Sequence, residues 1–86
     1  MIEIVWERIK EHEGQIFKQL EGGEFSYSVN GNSILLSRTN RTVSKNTIAK
    51  ALDHVPLVNT VPLQHLQAPS YLFAILTDRR IRQTNW

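Results

Sequence analysis

Between Arg38 and Leu52 the chain reads RTNRTVSKNTIAKAL, which places Arg38, Arg41, Lys45 and Lys50 within fifteen residues and no acid among them. Cations at this density suit one kind of chemistry: capture of phosphate oxygens, with Asn46 able to pair with a base edge or a sugar. A second basic run, Arg79, Arg80 and Arg82, offers further phosphate contacts near the end of the sequence. A plainer reading stands beside this one. Solvated helix faces are commonly charged, and arginines in a last helical turn meet the helix dipole favourably.

The element that must carry the first basic stretch is a helix. Ser44 is suited to its N-cap, with a hydroxyl able to accept from the backbone N–H of Asn46 or Thr47, and Val43 and Ile48 take the two positions of a hydrophobic staple. Ile48, Ala51, Leu52 and Val55 follow the spacing of a buried stripe, and Pro56 ends the helix. The opposite face is then Lys45, Asn46, Ala49, Lys50 and Asp53, with Arg38 and Arg41 just upstream.

Catalytic and metal signatures are not expected. His12, His54 and His65 fall in three different segments at irregular intervals, so neither a helix nor a hairpin pairs them as metal ligands. Gly22-Gly23 leads into a strand rather than a helix, unlike a phosphate loop, and no serine lies in a nucleophile-elbow pattern. Glu7 and Glu11 lie on an exposed helix face with no partner indicated. The reading is of a non-enzymatic protein without cofactor or metal.

Eighty-six residues with 41% apolar content bound the chain to one small globular domain, and the absence of cysteine removes disulfides and thiolate chemistry. Apolar runs such as Tyr71 to Leu76 are too short to span a bilayer, and the start lacks the blocks of a signal peptide, so a cytoplasmic location without membrane contact is expected. The net charge of +2 is unevenly spread: residues 1 to 25 carry −3 and the remainder +5. That asymmetry suggests a basic side for a polyanion, or two patches by which copies of the chain associate.

In chain order, Ile2, Val5, Trp6 and Ile9 predict an amphipathic helix from about residue 2 to 13, closed by Gly14 as its C′ residue. The period then changes to two. Gln15 to Glu21, Glu24 to Val29 and Ser33 to Arg38 are expected to form a three-stranded antiparallel meander, turning at Gly22-Gly23 and at Asn30-Gly31-Asn32. The expected register sets Leu20 beside Phe25, Ile16 beside Val29, Val29 beside Ile34 and Tyr27 beside Leu36 on a core face. Phe17 and Leu35 then flank Ser28 on the polar face, where they could contact a protein partner.

Pro56 to Pro62 reads as an extended connection. A last helix opens at Ala68-Pro69-Ser70, capped by Ser70 or carrying Pro69 in its first turn. Its run from Tyr71 to Leu76 is apolar on every side, so it fills the centre of the domain or meets a second copy, which makes a homodimer an expected possibility. Asp78 is placed to pair with Arg82 at i+4, and Trp86 to fold back onto the core or to stack on a base.

The segment Val43 to Leu52 resembles the recognition helix of helix-turn-helix repressors of the GntR and LacI type, which implies Lys45, Asn46 and Lys50 at the major groove. The first helix of that motif has no counterpart, because Ile34 to Thr39 alternates as a strand. The order helix, three strands, helix is similar to the double-stranded RNA-binding domain, in which lysines at the start of the second helix meet phosphates. Lys45 falls at that place, but the family's Lys-Lys-x-Ala-Lys run is not reproduced and the helix from Ser70 lies outside that fold.

The resulting expectation is an α+β domain comprising an N-terminal helix, a three-stranded meander and two C-terminal helices. Its expected partner is DNA or duplex RNA, bound through Arg38, Arg41, Lys45, Asn46 and Lys50 with Arg79, Arg80 and Arg82. The alternative is a protein-interaction module, such as a small inhibitor or accessory subunit, using Phe17 and Leu35 or the last helix.

Overall fold

In a computed structural model that describes residues 1–86, the first helix, α1 (Ile2–Glu11), buries Val5, Trp6 and Ile9 along one stripe. It ends earlier than its period suggested. His12 is the C-cap, and Gly14, at φ +81°, turns the chain so that its N–H donates to the Tyr27 carbonyl at 2.9 Å.

Five short strands follow: β1 (Phe17–Lys18), β2 (Glu24–Phe25), β3 (Tyr27–Asn30), β4 (Ser33–Leu36) and β5 (Thr42–Ser44). The architecture is α+β with a three-stranded antiparallel sheet, as the periodicity predicts, but that sheet is β3-β4-β5, and β1-β2 form a separate ribbon. The second hairpin has the expected register, with Tyr27 opposite Leu36 and Val29 opposite Ile34. The first does not. Its turn takes in Gln19 to Gly23, closed by the Gln19 N–H on the Gly23 carbonyl at 2.7 Å, and β1 pairs Phe17 with Phe25.

An odd shift of register reverses the faces of a strand. Phe17 is therefore 1% exposed, while Ile16 and Leu20, expected in the core, are 56% and 77% exposed. The gain is an aromatic cluster. Phe17 lies 6.0 Å from Phe25 and 5.3 Å from Tyr27 between ring centroids, and Phe25 meets the edge of Tyr71 at 4.8 Å. Tilted and edge-to-face rings at these separations attract beyond the apolar area that they bury.

The outer edge of β3 is closed by the turn that follows α1: besides the Gly14 bond, a Glu13 carboxylate oxygen accepts from the Val29 N–H at 2.7 Å. This protects an otherwise open strand edge. Tyr27 donates its hydroxyl to the Ile9 carbonyl at 2.6 Å, which ties the sheet to the same helix.

Helix α2 (Lys45–Ala51) starts where its cap predicts, with the Ser44 hydroxyl accepting from the Thr47 N–H at 3.0 Å and the flanking Val43 and Ile48 buried. A 3-10 turn, Leu52–His54, carries it to Pro56. The connection beyond is not wholly extended: a second 3-10 turn, Val61–Leu63, drives Leu63 into the core.

Helix α3 (Pro69–Thr77) has Pro69 in its first turn, so Ser70 is not its cap, and it buries Leu72, Phe73, Ala74, Ile75 and Leu76. The chain then breaks at Asp78, whose carboxylate accepts from the Arg80 N–H and caps α4 (Arg79–Arg82). Trp86 folds back as expected, its indole N–H donating to the Leu76 carbonyl at 2.9 Å. One cluster of 20 buried residues, none charged, connects all of these elements. No helix is long and apolar enough to cross a membrane.

Candidate nucleic-acid interface

The first basic stretch folds into the β4-β5 turn, strand β5 and helix α2. The Leu36 N–H donates to the Arg41 carbonyl at 2.9 Å, which closes the turn around Asn40 in the left-handed region at φ 54°. Asparagine tolerates that conformation better than most residues. At the other end of β5 the Lys45 N–H donates to the Asn32 carbonyl at 2.7 Å. Arg38 and Arg41 therefore occupy one end of the hairpin and Lys45 and Asn46 the other. The extended step from Arg41 to Lys45 covers about 13 Å at ~3.3 Å per residue.

The cations differ in what they already hold. Arg38, Arg41 and Lys50 are exposed and form no ion pair. Arg38 lies back across the glycine turn of the first ribbon, where a Cβ on Gly23 would stand 2.5 Å from its guanidinium Nη1. Lys45 is different: its ammonium meets a Glu3 carboxylate oxygen at 3.1 Å and lies 6.0 Å from the Trp6 ring. With Ile2, Asn32, Ser44, Asn46 and Ala49 it lines a hollow of about 300 Å³. Glu3, Ile2 and Asn32 gave no sequence signal for this, since they lie on other elements.

The second basic run does not form a set of free cations beside the first. Arg80 is held by Asp78 at 2.9 Å, by the Gln15 side chain at 3.0 Å and by the Ile16 carbonyl at 2.8 Å, with its guanidinium 4.0 Å from the centroid of the Phe17 ring. The pair perturbs both charges. Burial opposes ionisation of Asp78, but the bonds from the Arg80 side chain and backbone outweigh it and lower the pKa, while the bond to Asp78 raises that of Arg80. The i+4 partner expected for Asp78 is thus replaced by Arg80. Arg82 is half-buried and donates to the Trp86 carbonyl, which leaves Arg79 exposed and without an ion pair.

Two further expectations are corrected. Phe17 cannot serve as an exposed partner contact, because the register of β1 turns it into the core; Leu35, opposite Ser28 and Thr42, remains 40% exposed. Helix α3 packs within the chain against α4, β1 and the Val61–Leu63 turn, with Leu72 to Leu76 buried, so it takes the central position that was one of its two expected places. The histidines are not all apart either: the rings of His54 and His65 lie 5.7 Å from centroid to centroid.

No family model, curated protein or solved structure matches the chain.

Proposed function

We propose that this domain binds nucleic acid without catalysis, through the β4-β5 turn and the exposed face of α2. The observation that carries the reading is that Arg38, Arg41 and Lys50 are all solvent-exposed and unpaired, on a stretch that contains no acid before Asp53. Asn46, exposed at the start of α2, is the residue able to contact a base edge or sugar. Lys45 has a supporting role, because a phosphate must displace Glu3 to reach it. Arg79 adds a contact only if the ligand extends to α4. The cytoplasm is the compartment in which such binding would operate.

The two ends of the hairpin, about 13 Å apart, match roughly four nucleotides of rise along one duplex strand, at ~3.4 Å each. Separate phosphates would therefore be engaged. The test is a fluorescence anisotropy titration with labelled duplex DNA, duplex RNA and single strands at several salt concentrations. Three free cations predict a slope of log affinity on log salt of about −3, from ~0.9 per neutralised phosphate. No binding at low salt would remove the reading.

A protein-interaction module is the second reading, and the outward-facing Ile16 and Leu20, with Leu35, favour it over a wholly polar surface. Replacing Leu20 and Leu35 with Ser would then abolish partner binding and leave nucleic-acid affinity unchanged.

A further inference from the structure

The loop between α2 and α3 brings together two side chains that are eleven positions apart in the sequence. His54 ends the 3-10 turn Leu52–His54, and His65 follows the 3-10 turn Val61–Leu63. Between them Leu57 and Leu63 are buried, at 8% and 0% exposure, and pin the loop at two points. Local bonds stiffen it: the Leu63 N–H to the Thr60 carbonyl at 2.9 Å, the Val61 N–H to the Asn59 side chain at 3.0 Å, and the Leu66 N–H to the Leu63 carbonyl at 2.9 Å.

The two imidazoles are brought together by a loop anchored in the core and meet edge to face. Their ring centroids are 5.7 Å apart and their planes stand at 78°. Both residues are exposed, and no ring nitrogen of either is hydrogen-bonded within the protein, whereas His12 shares its Nδ1 with the Arg8 carbonyl at 2.7 Å.

We propose that His54 and His65 form a two-histidine chelate for a late first-row divalent ion, of the copper, nickel or zinc type. The distance is right for it. With metal–nitrogen bonds of about 2.1 Å, each centroid stands about 3.2 Å from the ion, so two imidazoles on one tetrahedral centre have centroids about 5.2 Å apart. The observed separation is within about half an ångström of that value. Imidazole suits this class of ion, and no carboxylate or thiolate set is present to favour calcium, magnesium or a softer ion. Water completes the coordination, so binding is reversible and of moderate strength.

The site lies outside the proposed nucleic-acid surface and does not rest on it. The test follows the imidazole ring signals of the full chain by NMR during titration with zinc chloride, with affinity measured in parallel by calorimetry. The ring protons of His54 and His65 are expected to shift together and saturate at one ion per chain, in the micromolar range, while those of His12 stay in place. His54→Ala and His65→Ala should each weaken binding at least about tenfold, and His12→Ala should leave it unchanged. Both positions are exposed, and circular dichroism is the check that the variants fold. Equal responses from all three histidines, no saturation below about 1 mM, or an unchanged affinity in either variant would overturn the assignment.

Discussion

The guanidinium of Arg80 lies 4.0 Å from the centroid of the Phe17 ring, a contact that joins two residues 63 positions apart and gives both a structural role. Each residue looked available for binding in the linear sequence. In the fold they occupy one another, with Asp78, Gln15 and Ile16 completing the shell around the guanidinium. Four hydrogen-bond acceptors and a ring face leave little of Arg80 for a phosphate.

Arg80→Ala should therefore destabilise the domain by about 1–2 kcal/mol, the sum of a part-exposed cation–π contact and screened charge-assisted bonds. For a domain of this size that lowers Tm by about 5–10 °C. Nucleic-acid affinity, measured below the transition, should not change. A large loss of affinity with normal Tm would instead mark Arg80 as a binding residue.

Charge reversal at the exposed turn should act in the opposite way. The double change Arg38→Glu and Arg41→Glu removes two cations with no internal ion pair, so Tm should move by no more than about 2 °C while anisotropy binding is lost. Lys50→Glu should weaken binding as well. Lys45→Glu is the poorer probe, because it sets a carboxylate beside Glu3 and costs stability whatever the protein binds.

Phe17→Ser separates the register seen here from the expected one. On an exposed face it would be nearly silent. In the aromatic cluster it removes a ring packed against Phe25 and Tyr27, and about 3–5 kcal/mol of lost stability leaves the chain largely unfolded in urea or calorimetric melts.

The hydroxyl of Tyr27 should be worth about 1 kcal/mol, read as the drop in urea stability of Tyr27→Phe. Burial pushes its pKa well above the usual 10.0, so the phenol stays protonated in the folded state. A raised folded pKa gives a contribution that is full below about pH 10 and is lost as pH rises through the folded value. The phenolate absorbance of Tyr27 should accordingly appear with alkaline unfolding, as measured by parallel absorbance and circular dichroism.

Asp78 carries the opposite sign. Its folded pKa is lowered, so its contribution is present above the ordinary value of 3.8 and fades as pH falls through the folded pKa. Asp78→Asn keeps a capping side chain but loses the charge; its deficit in urea midpoint should be full at pH 7 and close under acid. A deficit independent of pH would assign the effect to the cap alone.

Local chemistry determined a good share of this protein. The stripe Val5, Trp6, Ile9, the tight hairpin that opposes Tyr27 with Leu36, the Ser44 cap and the proline-opened last helix all rest on interactions within a few residues, and such patterns are written in the sequence itself. What only the tertiary structure decided involves partners far apart. Strand β5 is too short to show a period, and is defined by pairing with β4. The register of β1 depends on Phe25, Tyr27 and Arg80, not on the glycines that turn it, and that one choice exchanges Phe17 for Ile16 and Leu20 at the surface. The same holds for the site: the sequence placed the cations, but which remained free was settled by Glu3, Asp78 and Trp86, because a charge is neutralised by whatever the fold brings within a few ångströms of it.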